Sequence, residues 1–381
     1  MEFIVRSLFK NLTLSIYKHQ SLKFTMKNLL LIGLLLIFSC SSDREGSLND
    51  PQIEEGSVYF PPNNSNDWET KSAASLGWKE NKLPDLYNYL ETKNTKSFII
   101  LYNGKIVVEK YFNDHTVNSP WYWASAGKTL TSTMAGIARD DGSLNIDLPV
   151  SNYLGTGWTS APLVKENLIT SKNLLNMTSG LDDSSGDDVS PTDLQYKADA
   201  GTRWAYHNVY VKLQDAVANA TNQTFINYFN VKLKNKIGMS GTWIEKGGLN
   251  VYYSTSRSMA RFGLMIFAKG KWNDETIISE KFLNEATQTS QNINEAYGYL
   301  WWLNGRSSYH LPQTQITFPG KLIPSAPNDM YCALGKNDQK IYIVPSKKLV
   351  IIRMGESADA SNFGLSDFDD VLWQKIDLVI N

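Results

Sequence analysis

Cysteine is nearly absent from this chain: two in 381 residues, Cys40 and Cys332. Two thiols allow at most one disulfide, which excludes a disulfide-stapled scaffold and any thiolate-rich zinc site. Histidine is almost as scarce. The four, His19, His115, His207 and His310, are scattered and form no H-x-x-x-H or C-x-x-C cluster, so no metal is expected, and nothing in the pattern asks for an organic cofactor. Neither sign of charge is in excess, with 37 Lys and Arg against 38 Asp and Glu. A nucleic-acid partner, which wants a basic face, is therefore not expected. Internal repeats and low-complexity blocks are missing too, and 42% hydrophobic with 20% charged residues is the composition of an ordinary globular protein.

Long apolar runs are also lacking. The longest, residues 29–38 (LLLIGLLLIF), follows Met26, Lys27 and Asn28 and is too short to span a membrane comfortably, but suits the apolar region of an export signal. It ends in Ile37-Phe38-Ser39-Cys40, which resembles a bacterial lipobox, where the cysteine is acylated and becomes the mature N-terminus. The segments expected are thus a start-site artefact over 1–25, with Met26 the better start codon, and a lipoprotein signal over 26–40. A polar tether and surface-docked arm should follow over 41–82, with Trp68 and Trp78 as anchors. With Cys40 lipidated, only Cys332 is left and no intramolecular disulfide remains. The expected location is an exported bacterial lipoprotein, on the periplasmic side or the outer surface of the outer membrane, with the membrane as partner through Cys40.

From residue 83 onward the patterning is that of a single α+β domain, 83–381. Leu86, Tyr89 and Leu90 make a helical stripe over 83–92. Two apolar runs, 97–102 and 105–111, flank Asn103-Gly104, the strongest short hairpin signal because both turn positions need positive φ. Residues 145–287 read as helical and loop-rich, with helices near Val209 and over 257–267 and an Asp-rich loop over 182–193. Strands return at 331–335, 339–344 and 348–354, and a helix over 367–379 closes the chain. Such a chain builds one antiparallel sheet from its two ends, flanked by helices, with a helical region inserted between.

Chemistry is expected at Ser125 and Lys128, in Trp121-Tyr-Trp-Ala-Ser-Ala-Gly-Lys128. A serine hydroxyl must shed its proton to attack a carbonyl, and an amine at i+3 on one helical face can take it. At a helix N-terminus, Ser125 would also meet free N–H groups suited to an oxyanion, although a serine there often merely caps the helix. S-x-x-K recurs at Ser7/Lys10 and Ser15/Lys18, in the segment set aside above, so the motif alone decides little.

Other segments in the same order carry the identification. Leu174-Leu-Asn-Met-Thr-Ser-Gly-Leu181, Tyr206-His207-Asn208, Ile237-Gly238-Met239 and Tyr297-Gly-Tyr-Leu-Trp301-Trp302 follow Ser125-Ala-Gly-Lys128. Together, from residue 83 to the end, the chain resembles the serine β-lactamase-related hydrolases: class C β-lactamases, D-alanyl-D-alanine carboxypeptidases, esterases and 6-aminohexanoate-dimer hydrolases. The resemblance implies the β-lactamase/transpeptidase-like fold, with Ser125 as acylated nucleophile and Lys128 as its activator. Tyr206 would be the proton shuttle, and Asn208 would orient Lys128 or the substrate. A Tyr–Lys contact is expected to lower the pKa of each group. His207 occupies the variable position of Y-x-N. Among the aromatics Trp121, Tyr122, Trp123, Trp301 and Trp302, some would wall an acyl pocket, Trp301 being one nominee.

The family's K-T-G motif is missing. Tyr331-Cys-Ala333-Leu334-Gly335 resembles the A-x-G version of the esterase and oligoamide branch, with no cation on the strand and a backbone N–H from Ala333 or a neighbour completing the oxyanion hole. The resemblance therefore implies a serine hydrolase acting on an ester or linear amide. The alternatives are a D-amino-acid peptidase or weak β-lactamase acting on cell-wall peptides, and a catalytically idle penicillin-binding-like module.

Overall fold

The protein is described here by a computed structural model over residues 57–184, 186–359 and 365–381. The expected start artefact, the signal segment with Cys40 and most of the tether lie outside the described residues.

A six-stranded antiparallel sheet is drawn from both ends of the chain, in the order Lys105–Tyr111, Thr95–Tyr102, Leu349–Gly355, Gln339–Val344, Tyr331–Gly335, Trp302–Leu303. The first two strands form the expected hairpin. Asn103 and Gly104 take φ of 48° and 89°, the pair of positive values that a two-residue turn requires to match strand twist. Gln339–Val344 and Leu349–Gly355 are mostly apolar and buried along their length, because helices cover both faces of the sheet.

On one face lies the helix Ser256–Phe267. Its Gly263 lets it sit close: a Cβ there would be 2.7 Å from Val350 and 3.2 Å from Ile341. On the other face lie Leu83–Thr92 and the C-terminal helix Asp367–Ile380, where Trp373 meets Tyr342 edge-on at 5.5 Å. Lys340, fully buried on this face, reaches Asp369 at 2.8 Å and Asp338 at 3.1 Å, and Tyr342 donates its hydroxyl to Asp369. Buried charges persist only when paired and hydrogen-bonded, so this cluster ties the closing helix to the sheet.

Residues 57–82 pack along the first hairpin. Trp68 Nε1 donates to Gly104 O at 2.7 Å, Thr70 bridges Ile106, and Ala73 and Trp78 are buried.

The insertion carries the helices Lys128–Asp140 and Tyr210–Thr221, which pack on one another. It also carries a second sheet, Trp121–Tyr122, Leu249–Ser254 and Thr242–Lys246, whose two longer strands fall in the 145–287 stretch expected to be helix and loop. The turn between its longer strands is Gly247-Gly248, both at positive φ, a hairpin signal as good as Asn-Gly. This sheet matters to the site because Trp121–Tyr122 leads straight into Ser125.

Candidate active site

Ser125 lies in a 3-10 turn, Ala124–Gly127, and the α-helix proper begins at Lys128. The chain enters this turn through Ala124 at φ 47°, a left-handed conformation that a non-glycine residue adopts only when its surroundings impose it. Those surroundings are well packed. Trp123, just before it, is fully buried, donates Nε1 to Ser254 Oγ at 2.8 Å and meets Tyr252 edge-on at 5.4 Å. Neither the turn nor the helix is capped by a side chain, so the hydroxyl of Ser125 is not spent as a cap.

That hydroxyl faces Lys128. Lys128 Nζ donates to Ser125 Oγ at 2.8 Å and to Asn208 Oδ1 at 2.9 Å, and it sits over the rings of Tyr206 and Tyr210 at 4.9 and 4.7 Å from their centroids. Only 2% of Lys128 is exposed. Burial penalises the ammonium and brings its pKa down to about 7, against an opposing pull from Asp187. The amine is thus neutral in a large fraction of molecules near pH 7, with a lone pair ready for the serine proton.

Tyr206 departs from the expectation of a mutual pKa depression. Burial pushes its phenol up to about 12, although a hydrogen bond with Ser125 and another with Trp302 pull the other way. The desolvation that makes lysine neutral also keeps tyrosine neutral, since each loses its charged form. The resting Tyr206 is therefore a phenol with a proton to give. Its ring stacks on Trp302 at 5.6 Å and meets Tyr297 edge-on at 6.2 Å. Asn208 spends its amide on both sides: Oδ1 accepts from Lys128, and Nδ2 donates to Asp187 Oδ1 at 3.0 Å.

These groups open into a cavity of about 500 Å³. The insertion contributes Ser125, Tyr206, His207 and Asn208, with Asp183, Gly186 and Asp187 from the Asp-rich loop. Trp302 and Leu334 come from the sheet, Lys336 from the turn just after Tyr331–Gly335, and Leu365 and residues 311–314 complete the wall.

Of the sheet-edge nominees, Leu334 lines the cavity, whereas Ala333 is 1% exposed within the strand and does not. Gly335 marks where sheet and nucleophile turn touch. A Cβ on it would stand 2.5 Å from Trp123 O and 2.9 Å from Ala126 N, both main-chain atoms. On this strand Trp302–Leu303 reaches only Tyr331 and Cys332, so among the described residues the edge from Ala333 to Gly335 has no strand partner on that side. Gly335→Ala is accordingly expected to cost about 1–3 kcal/mol by overpacking and to lower ester turnover by pushing the edge from Ser125. A melting curve and a turnover assay check it; wild-type values in both would mean the contact carries nothing.

Three placements correct the sequence reading. Trp301 is not a pocket wall: it is fully buried, stacked on Phe262 at 6.1 Å, and its neighbour Trp302 lines the cavity instead. Successive residues at a strand start face opposite sides, which one sequence cannot orient. A cation does reach the sheet side of the site, because Lys336, one residue beyond Gly335, is exposed and lines the cavity. The acidic loop, read only as a loop, supplies Asp183 and Asp187 to the wall. His207 is 4% exposed and lines the cavity; burial lowers its pKa and keeps the ring neutral. Cys332 is buried in its strand, where burial raises the thiol pKa.

Among the described residues no group of three or more His, Cys, Asp or Glu side chains is arranged to hold a metal ion, and no helix is long and apolar enough to cross a membrane.

The beta-lactamase family model matches residues 93–364. Among solved structures, a protein from Bacillus anthracis assigned as a 6-aminohexanoate-dimer hydrolase aligns with TM-score 0.63 at 17% identity, over 84% of this chain and 88% of that one. A class C beta-lactamase mutant aligns with TM-score 0.59 at 17% identity, covering 80% and 97%. The penicillin binding protein of Bacillus halodurans aligns with TM-score 0.55 at 15% identity, covering 77% and 99%. At such identities the likeness shows the fold. No curated protein matches the chain.

Proposed function

The chain belongs to the beta-lactamase family of serine hydrolases, and from that premise we propose that it hydrolyses an ester or a linear amide through an acyl-enzyme on Ser125. One observation carries the reading: a lysine with a pKa of about 7, fully buried, lies 2.8 Å from the serine oxygen. In its neutral form Lys128 takes the hydroxyl proton while Oγ attacks the carbonyl carbon. The Ser125 N–H, with a backbone N–H from the strand end near Gly335, receives the oxyanion. As the tetrahedral intermediate collapses, the leaving oxygen or nitrogen takes a proton from the phenol of Tyr206. Water, losing its proton to the same phenolate, then attacks the acyl carbonyl, and as this second intermediate collapses Ser125 Oγ takes back the proton held by Lys128, restoring both groups. Asn208 holds Lys128 in place.

The apolar part of the wall, Trp302, Leu311, Pro312 and Leu334, suits an uncharged acyl or leaving group. Lys336 favours a second reading within the same chemistry, since a cation on the sheet side would also meet the carboxylate of a cell-wall D-peptide or a β-lactam. The localisation belongs to the same proposal: the lipobox-like Ser39-Cys40 argues for a lipid anchor and an exported enzyme.

Incubating the full chain with a chromogenic short-chain ester and a fluorophosphonate probe is expected to give turnover and covalent labelling. Neither would be seen with an idle binding module, and that result would sink the hydrolase reading. Nitrocefin and a D-Ala-D-Ala peptide, run beside the ester, are expected to turn over at least tenfold more slowly. A clear preference for them, lost on Lys336→Ala, would favour the second reading instead.

A further inference from the structure

Lys128 turns into a cation in a place closed to solvent. As Ser125 Oγ gives up its proton and bonds the carbonyl carbon, the new N–H bond makes an ammonium of a side chain only 2% exposed. An ammonium carries three N–H donors. Two are used, on Ser125 Oγ and Asn208 Oδ1, and among the described residues no third acceptor lies within hydrogen-bond reach. Two ring faces lie close instead, with the centroids of Tyr206 and Tyr210 at 4.9 and 4.7 Å from Nζ. A ring face attracts a cation through its quadrupole, most strongly where water is excluded. Because the charge appears only as the serine attacks, that attraction favours the transition state over the resting enzyme.

The two rings differ in what else they do. Tyr206 lines the cavity and has its own proton to give. Tyr210 is off the cavity wall, 5% exposed, and its hydroxyl is committed to Asn250 O at 3.0 Å. The residue that holds it is held in turn: Asn250 Nδ2 donates to Gln214 Oε1 at 3.0 Å, and Gln214 Nε2 to Thr131 Oγ1 at 2.9 Å. Thr131 stands about one turn beyond Lys128 on the same helix. These bonds join helix Tyr210–Thr221, strand Leu249–Ser254 and helix Lys128–Asp140 around one ring. The strand also pairs, through Tyr253 and Ser254, with the Trp121–Tyr122 segment that leads into Ser125.

We propose that Tyr210 is a positioning residue of the reaction: its ring face stabilises the ammonium that Lys128 becomes on taking the Ser125 proton, and its anchored hydroxyl keeps the face there. The assignment rests on the hydrolase reading above and deepens it. The other charged and titratable groups around Lys128 are Asp187, which pulls its pKa up, His207 and Tyr206, both kept neutral by burial, and Lys336 on the cavity wall. A change at residue 210 leaves all four in place. Attraction to the ring favours the ammonium and so opposes the effect of burial on Lys128; removing it should make the amine a weaker base and move the acid limb of the reaction to lower pH.

The rate of fluorophosphonate labelling of the full chain, followed from about pH 5 to about pH 9, reads the attack of Ser125 without deacylation. Tyr210→Leu is expected to label at least about threefold more slowly on the plateau, with its acid limb about half a pH unit or more below that of the wild type. Tyr210→Phe keeps the ring and loses the bond to Asn250 O; it should melt at a lower temperature yet label within about twofold of the wild type, with the limb unmoved. Where Tyr210→Leu fails to fold, fluorines added stepwise to the ring of Tyr210→Phe drain the quadrupole at nearly constant shape, and the rate should fall with each. A limb that stays put or moves to higher pH in Tyr210→Leu, or a rate indifferent to fluorination, overturns the assignment, since the ring then only fills space or keeps water out. Tyr210→Phe as slow as Tyr210→Leu overturns it in favour of the hydroxyl and Asn250. A wild type that takes no label strikes the hydrolase reading, and this assignment with it.

Discussion

Ser125→Ala is expected to reduce ester turnover by at least about three orders of magnitude and to abolish fluorophosphonate labelling, while leaving the melting temperature at or slightly above that of the wild type. The loss is large because, among the described residues, Ser125 Oγ is the one aliphatic hydroxyl that Lys128 Nζ bonds, its other bond going to Asn208, and the phenol of Tyr206 is held protonated by burial. Residual activity would come from the oxyanion donors and from binding alone. The fold should tolerate the change, since the Ser125 side chain makes no capping bond and Ala124 and Trp123 hold the turn. Intact mass measured after exposure to the probe gives the covalent readout directly. An alanine variant that keeps most of its turnover would remove Ser125 from the mechanism and, with it, the reading of the whole cavity.

Lys128→Met is the second large effect. General-base assistance is worth about 10²- to 10⁴-fold, and methionine keeps roughly the volume while removing the lone pair. The diagnostic signature is the pH profile. Lys128 acts as the free amine, and with a folded pKa of about 7 the wild-type kcat/KM should fall about tenfold per pH unit below pH 7 and level off above it. The methionine variant should be low and flat across the same range.

Stability should move in the opposite sense. The folded pKa lies below the unfolded lysine value of about 10.4, so folding releases a proton that the unfolded chain would keep. The cost is fully present below pH 7 and disappears as the pH rises through the unfolded value. Wild-type stability at this group therefore rises between pH 7 and 10, whereas the variant lacks that slope. Part of its gain at neutral pH is offset because Asn208 Oδ1 loses its donor. An acid limb unchanged in the variant would assign the titration to another group.

The elements that the sequence announced are those whose signals are local. Asn103-Gly104 specifies its turn through two positive φ angles, and the apolar runs that became Gln339–Val344 and Leu349–Gly355 could be read without knowing their neighbours. The Gly247-Gly248 hairpin used the same local code and was hidden only by the helical character of the segment around it. The order of Ser125, Lys128, Tyr206 and Asn208 along the chain was likewise sufficient to nominate them, because the chemistry demands those side chains wherever the fold brings them.

What no local pattern carries is which groups face one another across the cavity and how wet each one is. Trp301 and Trp302 are adjacent in sequence, yet one fills the core and the other walls the site, a difference set by the side of the sheet each side chain leaves. Lys336, Asp183 and Asp187 are ordinary charged residues in loops until the sheet edge and the insertion are placed against each other. The pKa values follow the same rule, since Lys128 falls and Tyr206 rises through desolvation by residues distant in the chain. The sequence by itself determined the family and the architecture and nominated the reacting side chains, because the ordered set of segments resembling the family's motifs suffices for that. Only the tertiary structure decided the protonation states, the neighbours of the nucleophile and the charges lining its cavity, because burial and electrostatic fields depend on what packs from elsewhere.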